Sequence, residues 1–424
     1  GKFQGLMGGV FGVATIIGPL LGGWLTDNYS WRWVFYVNIP VGIIAISILT
    51  TAMPKIVRNV NTRAIDFAGA LLITAGLVPL LLAFVWAGSQ YDWGSWQIIT
   101  LLITAAAALF AFGMVELKAR EPILSLNLFQ NKVFAVSTAV TFLTASGMFG
   151  AILYITVFAQ GVVGVSATNA GLILIPMMFG MIFSSVISGQ VISRFGKYKI
   201  LSIIGIAIGV LGMFLFTQLS RNTTQSDLVI RMVILGLGLG VTMPVFTIAV
   251  QNAFKIERLG EVTAGVTLFR SLGGTVGAAV LGGIMNSQLA SRLTDIANDP
   301  FVTTLKRLSP GAAVGTLDAN AIQGLLSNAG QTQVRTLLAQ APEPLQSQLI
   351  ANFDNFLNAI KSAFSSSMVQ VFIIATILMG VAFVVVLFLP EIPLRRTTQN
   401  ALVEAEKERN PEPGIDGKAD KPKV

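Results

Sequence analysis

One permanently charged side chain lies deep in an otherwise uncharged stretch of this sequence. Arg270 is the only ionisable residue between positions 262 and 291. It follows Glu261 by nine residues, about 13 Å along an α-helix. A charge near the middle of a hydrocarbon layer costs about 2.5–3.5 kcal/mol unless it faces a hydrated cavity or meets an acceptor. The guanidinium there offers planar, multidentate hydrogen bonding to an anion or polar ligand. The alternative is an arginine that snorkels or caps carbonyls while its stem packs on apolar neighbours. Gln160, Gln251 and Asn252, at the ends of other apolar stretches, add neutral hydrogen-bonding groups; each reads equally as a ligand contact or an interface residue. The chain has no Cys and no His. Thiol chemistry, imidazole bases and Cys/His zinc sites are thereby excluded. No catalytic constellation and no metal site emerge, and no carboxylate falls inside the later apolar stretches to select a multivalent cation.

The elements that must position these groups are transmembrane helices. Of 424 residues, 54% are hydrophobic and 11% charged, against roughly a quarter charged in soluble domains. A span needs about 20 predominantly apolar residues. Uncharged runs cover 3–26, 33–54, 67–90, 93–115, 133–193, 200–220, 232–254, 271–291 and 362–390. The run 133–193 is too long for one helix, and Gly161 to Gly164 with 166–169 marks the turn between two. Including Arg270, the run at 271–291 extends back to 262. The expectation is an all-α polytopic membrane protein with ten spans and both ends on one side. Lys and Arg mark the cytoplasmic loops. They cluster at Lys2, 55–63, 118–132, 194–199 and 255–258, against Arg32, Arg221 and Arg231 on the other side. All six Trp fall at that other face, as an interfacial belt does. The net charge of +8 is thus orientation chemistry, and no nucleic-acid partner is implied. Both ends are expected in the cytoplasm, in a multi-pass protein of the cell membrane.

Residues 286–361 read as a folded helical hairpin outside the bilayer. Leu345, Leu349, Phe353, Phe356, Leu357, Ile360 and Phe364 form a helical stripe into the last span. Residues 391–424 read as a cytoplasmic tail. Glycines recur four apart at 8/12, 18/22, 205/209, 236/240 and 273/277, which permits close backbone approach between helices. Prolines at 19, 40, 79, 176 and 244 sit within spans and bend them. Arg231 follows Asp227 by four residues, a spacing that predicts an ion pair at the rim.

Three motifs are more specific. The first span carries Ala14, Gly18, Pro19, Gly22 and Gly23, and is followed by Trp31-Arg32-Trp33, Asn38 and Pro40. Further on, Gly189, Arg194, Gly196 and Lys197 surround the loop at 194–199, with Ser193 beside them. The first set resembles the antiporter motif on the fifth helix of drug:proton antiporters in the major facilitator superfamily. The Trp-Arg-Trp continuation is similar to the helix-six motif of the 14-helix branch, the EmrB/QacA type. The loop resembles the second copy of the superfamily's cytoplasmic-loop signature, with Ser193 where the full signature has an acid. The setting of Arg270, followed by Gly273, Gly274 and Gly277, is similar to a motif of that branch's thirteenth helix.

That resemblance implies a major facilitator fold whose ten helices correspond to helices 5–14, the chain being truncated at its N-terminus. Residues 1–53 are then the last two helices of the N-terminal half, and 54–131 two extra central helices with their linkers. Residues 132–390 are the C-terminal six-helix half, including the loop 286–361. It also implies a transporter and no enzyme: proton-coupled efflux of small hydrophobic or amphipathic compounds by alternating access. No cofactor is implied beyond the proton gradient as coupling ion, and a membrane-fusion adaptor protein is a possible partner in that branch. A permease for an endogenous metabolite, lipid or siderophore, or a non-transporting membrane scaffold, stays open beside it.

Overall fold

The computed structural model describes residues 28–52, 66–87, 90–119, 122–165, 167–296, 299–308, 328–340 and 345–394, with isolated positions at 14, 17–18, 21–26, 324–325 and 342. The described residues are helical, and nine helices among them are long and apolar enough to cross a membrane. They are α1 (Trp33–Ala52, with a turn at Val37), α2 (Phe67–Trp86), α3 (Trp96–Glu116), α4 (Lys132–Phe158), α5 (Ala167–Phe195), α6 (Lys199–Phe216), α7 (Gln225–Ala253), α8 (Leu259–Ile296) and, after two short helices, α11 (Leu345–Val386). The short pair is α9 (Pro300–Leu308) and α10 (Asn328–Leu338). The tenth expected span, 3–26, lies mostly outside the described residues.

Local chemistry sets the helix ends. Asp66 caps α2 by accepting from Gly69 N at 2.7 Å, and Asn131 caps α4 through Val133 N at 2.9 Å. Thr224 and Asp227 form a capping box at the start of α7. Asp227 Oδ2 accepts from Thr224 N and Oγ1 at 3.0 and 2.8 Å, and no ion pair joins Asp227 to Arg231, contrary to the spacing. The carboxylate is instead folded back over the helix start. The turn expected after Gly161 is a π-helical turn, Ala159–Val163, ended by Gly164 at φ +82°.

Helices α4 to α8 and α11 form one bundle with two apolar cores. One core lies around Phe158, Met213, Phe216 and Phe372, and the other around Phe134, Tyr198, Val250 and Val386. Backbones approach closely at three of the glycine pairs. A Cβ on Gly236 or Gly240 would overlap the α5 backbone at Met177 or Met181, and one on Gly205 would meet Val241. A Cβ on Gly273 or Gly277 would overlap the α4 backbone at Phe142 and Ser146. Ser146 Oγ lies 2.8 Å from Phe142 O on its own helix and 2.9 Å from Gly273 O across the seam. Gly18 and Gly22 face open space, Gly8 and Gly12 lie outside the described residues, and none of α1 is buried.

Helices α2 and α3 form a hairpin with a seven-residue seam. Gly69, Gly76 and Ala83 face Ile98, Ala105 and Phe112, the repeat of a left-handed coiled pair. Helices α8 and α11 are 38 and 42 residues long, about 57 and 63 Å, roughly twice the hydrocarbon thickness. The segment expected as a separate hairpin is thus continuous with the spans at both ends. Phe301 of α9 packs on Phe353 and Phe356 of α11, ring centroids 5.2 and 5.3 Å away. Arg335 of α10 pairs with Asp354. The stripe from Leu349 to Phe364 is buried.

Replacing Gly273 with Ala should cost about 1–3 kcal/mol, because the added methyl meets backbone rather than a movable side chain. Gly189→Ala, whose Cβ meets nothing within 4 Å, should be neutral or stabilise by about 1 kcal/mol. Thermal unfolding of the detergent-purified chain compares the two. Equal midpoints would show that the α4–α8 seam adjusts freely.

Candidate functional site

A cavity of about 20 Å³ opens between α4, α5, α7 and α8, room for about one water. Thr141, Thr144 and Met148 line it from α4, Met181 from α5, Thr242, Met243 and Phe246 from α7, and Arg270 from α8. The glycine seam between α4 and α8 lies one turn beyond Arg270 and fixes the register of the two helices that carry Thr141, Thr144 and Arg270. Two hydroxyls are occupied within their own helices. Thr144 Oγ1 donates to Val140 O at 2.8 Å, and Thr242 Oγ1 to Leu239 O at 2.7 Å. Thr141 Oγ1 is buried and has no partner. No carboxylate lines the cavity. Among the described residues Arg270 takes part in no ion pair, and the nearest acid along α8, Glu261, is held by Nε and Nη2 of Arg258 at 2.9 and 3.0 Å. Three thioethers in the wall are flexible and polarisable, surfaces that adapt to differently shaped apolar groups.

The other polar candidates lie elsewhere. Gln160 is exposed on the π-turn. Gln251 Nε2 donates to Thr263 Oγ1 at 3.0 Å, which ties α7 to α8 at their Lys- and Arg-rich end. Asn252 Nδ2 donates to Pro393 O at 3.1 Å and reaches Ile392 O at 3.4 Å, which fastens the chain leaving α11. Sequence reasoning overlooks Tyr198, which completes this clamp. Its hydroxyl donates to Pro390 O at 2.7 Å and accepts from Ile392 N at 2.9 Å. Burial pushes the phenol above its ordinary value, opposed in part by the Ile392 N–H and aided by Glu391. The one available signal was an aromatic residue between Lys197 and Lys199, too weak to reveal partners nearly 200 positions away.

In the loop signature, Gly196 has φ +71° and ends α5, its N–H bonded to Ile192 O at 2.9 Å. Arg194 and Lys197 are exposed, and Arg194 lies 5.8 Å over the Phe195 ring. Ala14 and Gly18 are exposed, Gly22 and Gly23 half-buried, and Pro19 lies outside the described residues. Trp31, Arg32, Trp33, Asn38 and Pro40 are exposed, with Arg32 5.0 Å over the Trp31 ring. The structure does not bring these residues to the cavity.

Residues 1–278 match the Major Facilitator Superfamily. The chain belongs to that superfamily. It is 37% identical over 412 residues to the multidrug transporter protein MdtP of Bacillus subtilis, covering 96% of this chain and 73% of that one. It is 32% identical over 399 residues to multidrug resistance protein 3 of the same organism, covering 94% and 73%. An uncharacterized MFS-type transporter of Mycobacterium tuberculosis is 35% identical over 395 residues; this chain spans 93% of its own length there and 52% of the relative's. Among solved structures, a bacterial homolog of the human lysosomal transporter Spinster, inward-facing and occupied, aligns with a TM-score of 0.45 at 14% identity, over 89% of this chain and 81% of that one. As a member of the superfamily the chain is a multi-span membrane transporter and not an enzyme.

Tyr198→Phe removes one donor and one acceptor from the clamp, a loss of about 1–2 kcal/mol. Because burial raises the phenol in the folded chain, its contribution is complete below the unfolded tyrosine value. It is lost as pH rises through the folded one. The protection factor of the Ile392 amide, its rate relative to the unstructured amide at the same pH, should therefore fall in the variant, and fall in the parent chain only under alkaline conditions. Identical exchange in both chains would mean that the Tyr198 hydroxyl holds nothing.

Proposed function

We propose that this transporter exports small hydrophobic or amphipathic compounds, driven by proton influx, through alternating access of a cavity whose wall includes α4, α5, α7 and α8. The observation that carries this reading is Arg270, an uncompensated cation facing a cavity with threonine and methionine walls. Hydroxyls and a guanidinium orient the polar end of an amphiphile, and thioethers accept varied apolar ends. Two relatives named for multidrug transport or resistance support the substrate class. A cavity of this size holds about one water, whereas sites for drug-sized ligands measure about 300–1,000 Å³. Cargo therefore requires the wall to move, as it does when transporter halves rock about a midplane site.

Within this reading the protein is of the 14-helix EmrB/QacA type and sits in the cell membrane with its Lys- and Arg-rich loops and both ends cytoplasmic. The absence of a cavity carboxylate favours cargo other than multivalent cations. A membrane-fusion adaptor would engage the long extracytoplasmic arm built on α8 and α11.

Arg270→Ala should lower export by roughly 10- to 100-fold at normal membrane levels, the loss of about 1.5–3 kcal/mol expected for charged hydrogen bonds. Arg270→Lys keeps the charge without the planar fork and should restore activity only in part. Efflux of a fluorescent amphiphile from energised cells expressing the full chain measures both. Full activity in Arg270→Lys with little loss in Arg270→Ala is the signature of a snorkelling arginine and removes it from the site. The chain has no native Cys, so Arg270→Cys gives a second test. A water-soluble thiol reagent should label it, and lack of labelling with and without cargo would sink the cavity assignment.

A further inference from the structure

The seam between α2 and α3 ends on a carboxylate. Glu116 lies on the face of α3 that presents Ile98, Ala105 and Phe112 to α2, and is 3% exposed. Its Oε1 accepts from Leu124 N at 3.2 Å, and its Oε2 is buried with no partner. Across the seam, Asp66 starts the antiparallel α2. Its Oδ1 accepts from Gly69 N, and its Oδ2 is also buried and unpartnered. Gly69 lets this carboxylate fold over the helix start, since a Cβ there would overlap it. Gly76 meets Leu109 across the antiparallel seam, a register that sets Gly69, with the Asp66 carboxylate folded over it, opposite Glu116.

No cation offsets them among the described residues. Helix α2 and the rest of α3 carry no charge. On the adjoining segments Lys118 and Lys132 are exposed and Arg258 is held by Glu261, while Arg63 and Arg120 lie outside the described residues. Helix polarity separates the two acids. Asp66 sits at the N-terminal end of α2, whereas Glu116 sits at the negative C-terminal end of α3, where a second negative charge is disfavoured. Glu116, buried with one oxygen unpartnered and a second acid nearby, is costly to ionise and favours retaining its proton.

We propose that Asp66 and Glu116 form a proton-binding site at the foot of the α2–α3 hairpin, with the proton on Glu116. The proposal stands on the acid pair alone and goes beyond the transport reading. The proton is exchanged with water at the loop face and is held as an O–H on Oε2; no other bond changes. The site also has a mechanical connection. Leu124, bonded to Glu116 Oε1, is buried beneath α8, its Cδ1 3.8 Å from where a Cβ on Gly265 would stand. Gly265 precedes Arg270 by five residues on the same helix. Ionised Glu116 is a stronger acceptor for Leu124 N than the protonated acid, so gain or loss of the proton changes how firmly Leu124 is held beneath α8. Proton occupancy thereby bears on the helix that carries the cavity arginine.

Infrared titration of the purified full chain, without cargo, tests the site independently of export. At neutral pH the parent chain should show the C=O stretch of a protonated carboxyl, absent from Glu116→Gln, whose amide oxygen still accepts from Leu124. Asp66→Asn removes the neighbouring acid, and the band should then disappear at a lower pH than in the parent. This second variant keeps the test decisive if Glu116→Gln fails to fold. A parent chain without the band at neutral pH, or a band that neither variant alters, overturns the proposal.

Discussion

Everything in the candidate site depends on how closely α4 and α8 approach. Lipid gives apolar helices no hydrophobic reason to associate, so van der Waals contact and interhelical hydrogen bonds must supply it. Gly273 and Gly277 bring the α8 backbone onto Phe142 and Ser146, and Ser146 Oγ meets Gly273 O at 2.9 Å. A side chain at either glycine would part the helices and shift their register. Arg270, one turn away, would then shift from its place in the cavity wall. The glycine seams between α5 and α7 and between α6 and α7 extend the same constraint across the bundle. The cavity is the gap left where these tightly packed pairs diverge.

Small residues also account for what such a bundle can do. Backbone-to-backbone contacts are stiff within a pair, because no side chain lies between to adjust. The walls facing the cavity are different, with Met148, Met181 and Met243 as long unbranched chains. Rigid seams and soft walls together describe a body that moves as a unit while its lining adapts to what lies against it.

Spans were legible in the sequence because hydrocarbon demands an uninterrupted apolar run, and that demand is local. Arg270 was legible for the same reason, since a lone charge within such a run marks itself. Glycine spacing foretold close approach at 205/209, 236/240 and 273/277, while the partner helices were not readable from it. What escaped was every assignment that depends on a distant partner. Gln251 and Asn252 read equally as pathway or interface residues, and the partners that tie them to Thr263, Ile392 and Pro393 were not readable from their spacing. The Asp227–Arg231 spacing allowed an ion pair, but a capping threonine three residues before Asp227 claims the carboxylate first. Glu116 directly follows the uncharged run 93–115, and nothing in its spacing marks it. Its burial follows from a seven-residue register shared with α2, which becomes visible only when the two helices are laid side by side.

Arg270 and Glu116 show two solutions to one electrostatic problem, and the choice between them follows from residue type. A buried charge without a partner is costly in either case. Arginine cannot shed its proton within the accessible pH range, so depth is tolerable for it only where the surroundings admit water or a ligand. It is accordingly found at a cavity. Glutamate can become neutral by accepting a proton, which permits a packed seam with one oxygen bonded to a backbone N–H and the other unpartnered. Exchanging their positions would fail twice. An arginine in the α2–α3 seam would remain charged in a dry interface, and a glutamate in the cavity would be free to neutralise and lose its electrostatic hold on a ligand. The cavity is thus suited to a fixed charge and the hairpin foot to a switchable one.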